Sequence, residues 1–420
     1  MKDIVAVVLA AGRGTRMKSD TPKVLHELLG RPMISYVLES LRKSGISDIV
    51  IVAGYGADLL KECESVKGAE VIVQRKLLGS GDAVATAKNF VEKRSSDILV
   101  ICGDTPLIKT ETIRDLLEKH KDSGSSLTLL TAEVKDPTGY GRIVRDGSGK
   151  IIKIVEEEHA RLYEEIINEV NVGVYCFKSE DLFESLKKVE PDPIKKEIFL
   201  TDTVAILHKA GRLISSLSVK DSSEMIGINS RADLAKAIGI LKNRVIEEVM
   251  AIGATVEDPA TTTIYPGAKI GKDTIIHPNT FIGPDVAIGR CCRIGPFARL
   301  TANVSIGDEV IIGNFVELVR PVIDDRTKIK HHTYLGDTTV GKNVNIGAGT
   351  ITANYDGKNK NKTIIEDDSF IGVGARLVAP VRIGQGAIVG AGCVVLRGRD
   401  VPSGSTVVGV PARVLDKKRG

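Results

Sequence analysis

No apolar run in the 420 residues approaches the roughly 18–20 residues that a membrane-spanning helix needs, so membrane insertion is not expected. An excess of one charge is missing too. The formal net charge is +4, which makes no compositional case for nucleic acid or an anionic membrane as partner. Cysteine is sparse and unpatterned. Cys63, Cys102, Cys176, Cys291, Cys292 and Cys393 show neither a disulfide framework nor zinc spacing. Most sit in apolar strand-like runs, where cysteine behaves as a small hydrophobe, so a reducing, cytoplasmic setting is expected. The opening MKDIVAVVLAAG is not expected to be a signal peptide, because its apolar stretch runs into a glycine loop instead of a cleavage site. What is present is an apolar content of 42%, enough for real cores, and a length that allows two or three domains. Glycine is in excess, at 42 of 420 residues or 10%, against about 7% on average.

The first half alternates short apolar runs with helical patterns. IVAVVLA (4–10), DIVIVAG (48–54), AEVIVQ (69–74), DILVICGD (97–104), SLTLLTAEV (126–134) and VNVGVYCF (170–177) read as strands buried on both faces. Between them, Met33–Ser44, Gly81–Val91 and Glu111–Lys121 read as helices. This alternation predicts an α/β domain over 1–230 with a mainly parallel sheet, whose ligands bind beyond the carboxyl ends of the strands. Over 231–252, Leu234, Ile238, Leu241, Val245, Val249 and Ile252 fall on one helical face, which predicts a linker helix.

From 253 to 420 the period changes. An aliphatic residue recurs every sixth position at Ile270, Ile276, Ile282, Ile288, Ile294, Leu300, Ile306, Ile312 and Leu318. The phase returns at Val340 and Ile346, then at Ile371, Leu377, Ile383, Val389, Val395, Val401 and Val407. Neither a strand nor a helix has this period. A hexapeptide repeat predicts a parallel β-helix, each unit forming one flat side of a coil, and glycine turning the corners. The interruptions at roughly Val319–Thr339 and Gly347–Ile365 read as loops leaving the coil.

The stretch LAAGRGTRMKSDTPK (9–23) follows the first predicted strand. It is not a Walker loop, since no Gly-Lys-Ser/Thr follows Gly14, and Met17 breaks the dinucleotide fingerprint. A glycine loop in this place still lets backbone N–H groups converge on an anion, and Arg13, Arg16 and Lys23 add charge for several phosphates. A plain glycine turn with solvated basic residues is the alternative.

LAAGRGTRM followed by PKVLH resembles the signature of sugar-1-phosphate nucleotidyltransferases. QRKLLGSGDAV (74–84), ICGDTPLI (101–108), DPTGYGRIV (136–144), IVEE (154–157), VNVGVY (170–175) and GINSR (227–231) resemble the N-acetylglucosamine-1-phosphate uridylyltransferases. GPFARL (295–300), GNFVEL (313–318), HTYLGD (332–337) and VNIGAGTITANYDGKNKNKT (344–363) resemble the glucosamine-1-phosphate acetyltransferase fused to them. The resemblance spans nearly the whole chain. It implies a Rossmann-like nucleotidyltransferase domain and a left-handed parallel β-helix that acetylates glucosamine 1-phosphate with acetyl-CoA and then joins the product to UTP.

For the first reaction the resemblance implies that Leu9, Ala10, Ala11 and Gly12 approach the nucleotide through their backbone, while Arg16 and Lys23 neutralise phosphates. Gln74, Gly79 and Ser80 would face uracil and ribose, and Cys102, Gly103 and Asp104 would border the nucleotide. Gly141, Glu156 and Asn171 would hold the sugar, with Val172 standing where the family usually has Thr. Asp104 and Asn229 resemble the family's magnesium pair. By itself Asp104 reads first as a helix cap or turn residue at a strand end, and Asn229 alone is similarly ambiguous.

For the second reaction the acceptor amine must lose a proton, and histidine as a residue type is a suitable base near neutral pH. The resemblance implies His331 in that role, with His332 one residue away. Arg320, Tyr334, Asn345 and Lys360 resemble residues around glucosamine 1-phosphate. Ala348, Asn354, Tyr355, Val373 and Ala391 resemble those facing the acetyl group or coenzyme. Thr301 stands where the family usually has a second phosphate-gripping Arg, Arg320 where it has Lys, and Val373 and Gly409 where it has Ser and Arg. Family β-helices form trimers, so a homotrimer is expected. Two other readings stay open: uridylyl transfer alone, with the β-helix as a trimerisation scaffold, and a non-catalytic sugar-nucleotide sensor.

Overall fold

The computed structural model describes residues 4–193 and 195–415. Residues 1–3 of the opening MKDIVAVVLAAG and residues 416–420 at the end of the expected third segment lie outside the described residues. The chain forms two compact units, one up to Ile240 and one from Leu241. The division falls inside the helix Arg231–Ala251, so the segment read as a linker contributes a half to each unit.

In the first unit the strand Ile4–Ala10 is central. It pairs in parallel with Asp48–Ala53 on one side and Asp97–Cys102 on the other, and Asp48–Ala53 pairs in parallel with Glu70–Val73. Alternate residues serve two cores. Ala6 and Val8 pack with Leu38 and Ile51, whereas Val5 and Val7 pack with Val84 and Phe177. An unbroken Val/Ile run is thus explained by burial on both faces. The strand Glu169–Lys178 departs from the parallel plan, running antiparallel to both Asp97–Cys102 and Leu127–Glu133. Three further strands carry no clean apolar run: the hairpin Arg142–Arg145 and Ile151–Val155, and the edge strand Ile214–Ser218. The expected helix Gly81–Val91 is two short helices, Ser80–Thr86 and Lys88–Val91.

The second unit is a left-handed parallel β-helix whose stacked coils form three sheets, one along each side. Every in-phase aliphatic residue from Ile270 to Val407 is buried. Early coils are 18 residues long, as in the pairs Ile276↔Ile294 and Ile282↔Leu300. The expected loop at Val319–Thr339 is not a loop. Val322–Ile323, Lys328–His331 and Tyr334–Gly336 continue the three sheets, with Ile323, Ile329 and Leu335 in the core. The pairs Ile306↔Ile323 and Leu318↔Leu335 are 17 apart. One side of each of these coils is a residue short, which breaks the sequence phase without breaking the wall. The second interruption is narrower than expected. Ile351–Ala353 and Thr363–Ile365 are strands, with Thr352 buried in an aliphatic place, and only residues 354–362 leave the coil.

Stacking so close requires glycine at places such as Gly313, where a Cβ would lie 1.9 Å from the Lys330 carbonyl oxygen. Since each coil buries its aliphatic residue against the next, a truncation should act locally and strongly. Ile294 is fully buried in this core. Ile294→Ala is expected to destabilise the second unit by about 2–5 kcal/mol, read from its urea unfolding transition.

Candidate active sites

The loop after Ile4–Ala10 is shaped by its own residues. Gly14 adopts φ 61° and ψ 40°, in the left-handed region, and a Cβ there would lie 2.8 Å from Lys23 Cβ. The two ends of the loop therefore meet. Met17, at 1% exposure, plugs into the core, and its carbonyl accepts a hydrogen bond from Arg231 Nε at 3.2 Å. The residue that spoils the dinucleotide fingerprint is thus an anchor. Gly12, Arg13 and Arg16 stay exposed on the loop.

Lys23, Asp104 and Asn229, far apart in sequence, come together. Lys23 Nζ donates to the Asp104 carboxylate and, at 3.1 Å, to Asn229 Oδ1. Asp104 is placed by the end of Asp97–Cys102. Gly103 N–H donates to the Leu9 carbonyl at 2.9 Å, and the Asp104 carbonyl accepts from Ile228 N–H at 2.9 Å. Asn229 is placed by the start of the long helix, where Asp233 accepts from the Asn229 and Ser230 N–H groups at 3.0 and 2.8 Å. Burial works to raise the Asp233 carboxyl, but the Ser230 hydroxyl, these N–H groups and the charge of Arg16 hold it below the usual range. Two hard oxygens thus converge on one cationic group, a donor set that fits Mg²⁺. Burial, helped by Asp104, pushes the Cys102 thiol up to about 12, which leaves it neutral.

A second group faces this loop. A Cβ on Gly54 would come within 2.4 Å of the Ala11 carbonyl and 2.8 Å of Leu77 Cδ2, so the loop after Gln74 lies against the glycine loop. Gln74 is buried, and its Nε2 donates to Asp82 Oδ2 at 2.7 Å and the Gly79 carbonyl at 3.2 Å. Gly79 takes φ 103°, and Ser80 Oγ accepts from Leu200 N–H at 3.0 Å. Gly141, Glu156 and Asn171 also assemble. Asn171 N–H donates to the Gly141 carbonyl at 2.9 Å, and a Gly141 Cβ would lie 3.5 Å from Glu156 Oε2. Val172 turns into the core.

Two partners at this site escape a reading of the sequence. Thr201 donates to Glu156 Oε1 at 2.7 Å, and Tyr175 accepts from Asn171 Nδ2 at 2.7 Å. Burial raises the Tyr175 phenol, and burial with Glu156 raises the Asp202 carboxyl.

In the second unit His331 is exposed, and its Nδ1 lies 2.8 Å from Asn314 Oδ1. A carboxamide oxygen only accepts, so Nδ1 carries a proton, and it is Nε2 that offers a lone pair when the ring is neutral. His332 differs. It takes φ 42°, and its ring packs tilted against Phe315 with centroids 5.0 Å apart, while Phe315 stacks on Phe297 at 5.3 Å. The adjacent histidines are therefore distinct, one oriented by an amide and one in an aromatic column.

Arg320 donates to Asp337 through Nε at 2.7 Å and Nη2 at 2.9 Å, and Asn354 Nδ2 donates to the same carboxylate at 2.6 Å. Arg320 foremost, against the effect of burial and with help from Asn354 and Lys360, holds the Asp337 carboxyl below the usual range. Thr301 Oγ1 donates to the Leu318 carbonyl at 3.1 Å. Tyr334 is half-buried, with its hydroxyl 2.7 Å from where a Gly336 Cβ would sit. Asn345 is half-buried in the ladder between Lys328 and Phe370. Tyr355 and Lys360 bridge the excursion 354–362.

Ala348, Val373 and Ala391 follow one corner of successive coils. Gly349 N–H donates to the His332 carbonyl at 2.8 Å, Gly374 N–H to Ala348 at 2.7 Å and Gly392 N–H to Val373 at 2.7 Å. Gly409 accepts from Val394 N–H on the neighbouring coil at 3.2 Å. Asn314 and Asp337 are the residues that sequence reasoning missed in this unit. The signal was spacing: Asn314 to His331, Arg320 to Asp337 and Asp337 to Asn354 are each 17 residues apart, one coil.

Residues 5–223 match the nucleotidyl transferase family, and residues 285–320 and 362–397 match the bacterial transferase hexapeptide family of six repeats. The bifunctional protein GlmU of Pelotomaculum thermopropionicum is 45% identical over 413 residues, covering 90% of each chain. The bifunctional protein GlmU of Carboxydothermus hydrogenoformans is 41% identical over 430 residues, covering 94% of this chain and 95% of that one. That of Acetivibrio thermocellus is 41% identical over 443 residues, covering 97% of this chain and 95% of the relative.

Proposed function

The chain belongs to the GlmU family of bifunctional proteins, and on that premise we propose that it makes UDP-N-acetylglucosamine in two steps. The β-helix unit moves an acetyl group from acetyl-CoA to glucosamine 1-phosphate. The α/β unit then joins N-acetylglucosamine 1-phosphate to UTP and releases pyrophosphate. The observation that carries this reading is the reach of the likeness, which runs through both units of one chain at 45% identity.

In uridylyl transfer, a sugar-phosphate oxygen bonds to the α-phosphorus of UTP as the bond to pyrophosphate breaks. Such a transfer asks the protein mainly for position and charge. The backbone from Leu9 to Gly12 cradles phosphate, and Arg16 and Lys23 balance its charge. Gln74, Gly79 and Ser80 face the nucleoside, while Gly141, Glu156 and Asn171 hold the sugar. Asp104 and Asn229 are the residues that would hold Mg²⁺, which would supply further neutralisation of phosphate charge.

In the second unit the deprotonated amine bonds to the thioester carbonyl carbon, the C–S bond breaks, and the coenzyme leaves as a thiol. His331 Nε2 takes the amine proton, because Asn314 holds the ring with that lone pair outward. Arg320, Tyr334, Asn345 and Lys360 receive glucosamine 1-phosphate, and the corner from Ala348 through Val373 to Ala391, with Asn354 and Tyr355, receives acetyl-CoA. The β-helix assembles as a homotrimer, and the enzyme works on small molecules in the cytoplasm. No helix among the described residues is long and apolar enough to cross a membrane.

One observation favours the second reading, uridylyl transfer with the β-helix as scaffold. Thr301 brings no charge, and Arg320 is already tied to Asp337. One pair of assays on purified protein decides. Thiol release from acetyl-CoA with glucosamine 1-phosphate, alongside pyrophosphate release from UTP with the acetylated sugar, supports the bifunctional reading. Pyrophosphate release without thiol release leaves the scaffold reading. Neither product leaves the sensor.

A further inference from the structure

Asp337 is the middle rung of a column on three consecutive coils, with Arg320 one coil before it and Asn354 one coil after. Arg320 and Asp337 both have positive φ, at 58° and 48°, so each occupies a corner of its coil. The Asp337 side chain is 17% exposed and receives two N–H groups of one guanidinium and one of an amide. We infer that Asp337 is a positioning residue for acetyl transfer, fixing the guanidinium that meets the acceptor's phosphate and the amide that meets the acyl donor. This inference rests on the acetyltransferase reading of the β-helix unit.

The donor inventory of arginine explains the first half. A guanidinium has five N–H donors in a rigid fork. Asp337 takes Nε–H and one Nη2–H, which fixes the plane and leaves both Nη1 hydrogens and the second Nη2 hydrogen on the outer edge. Arg320 remains about one-third exposed along that edge (35%). A phosphate there meets a preset pair of donors without first ordering a long side chain. The family's usual lysine has no plane to fix, so the demand for Asp337 comes with the arginine. Thr301 makes that demand sharper, because its hydroxyl is turned to Leu318 and the neighbouring cation is absent from the sequence.

The second half concerns Asn354, which is buried. With Nδ2 held by Asp337, the direction of its carboxamide oxygen is set. One carboxylate thus sets the geometry on both sides of the candidate reacting centre. Lys360 contributes to the field on Asp337 from the excursion 354–362. The competing idea is that Asp337 only neutralises Arg320 and so weakens the phosphate's grip. The two ideas predict opposite signs.

The test is Asp337→Asn in the full chain, with glucosamine 1-phosphate affinity measured by calorimetry and both product assays run in parallel. Asparagine keeps the size but replaces one acceptor oxygen with an NH₂ that faces a donor. Acceptor affinity and kcat/KM for thiol release should each fall at least about tenfold, as the loss of charge-assisted hydrogen bonds implies. Pyrophosphate release should stay as in the parent, and the β-helix should remain folded at the assay temperature even if its melting temperature falls with the lost bonds. Arg320→Lys is the second variant. It should weaken acceptor binding by itself, and Asp337→Asn added to it should cost less than about twofold in acceptor affinity, since no guanidinium remains to orient, while thiol release still falls through the freed Asn354. Unchanged or tighter acceptor binding in Asp337→Asn overturns the inference, as does full additivity of acceptor affinity in the double variant. A parent protein that binds the acceptor but releases no thiol refutes the acetyltransferase reading instead, and the binding comparison still judges Asp337.

Discussion

Asp104→Ala is expected to lower pyrophosphate release by at least about 10²–10³-fold, the usual worth of one preorganised electrostatic group, while thiol release stays within about twofold of the parent. The reason is convergence. Among the described residues, Asp104 supplies the carboxylate that Lys23 bonds, and it faces Asn229 across that ammonium. Alanine removes one of two candidate metal oxygens and frees a lysine that would otherwise be aimed at phosphate. The fold should survive, because the Asp104 backbone carbonyl keeps its bond from Ile228 N–H and the lost side chain is part-exposed. Saturating magnesium should not rescue the variant. Near-normal pyrophosphate release under that condition contradicts the assignment.

The second large effect is expected at His331. His331→Ala should lower thiol release by about 10²–10⁴-fold, the usual worth of a positioned general base, and leave pyrophosphate release intact. The neighbouring histidine makes this a sharp comparison. His332 packs against Phe315 in place of the amide contact that orients His331, so His332→Ala should change thiol release by less than about tenfold and act mainly on stability. Equal losses in the two variants, or a larger loss at His332, contradict this division of roles between the two histidines.

These contrasts also show what could be read from the residues alone. The hexapeptide aliphatics needed only periodicity, because each points into one continuous core, and all of them are buried. The break after Leu318 was misread because a five-residue side shifts the phase in the same way that a loop does. The antiparallel strand Glu169–Lys178 was visible as a strand but not as reversed, since burial on both faces looks the same in either direction. Ile214–Ser218 was missed because three serines at an edge strand give no apolar signal.

At the sites, residue types at strand ends and in loops were legible through the family resemblance. Their partners were not. Asn314 is tied to His331, and Asp337 to Arg320 and Asn354, by coil spacing, and that spacing is known only once the 17-residue coils are seen. Arg231 reaches Met17 across 214 positions, a pairing that no local pattern announces.

The most direct measurement of the central claim is a crystal structure of the protein soaked with UTP and magnesium. The account predicts a triphosphate lying against the backbone of Leu9 to Gly12 and near Arg16 and Lys23, with a divalent ion held by Asp104 and Asn229. A nucleotide bound elsewhere, or an Asp104 carboxylate turned away from the triphosphate, contradicts it.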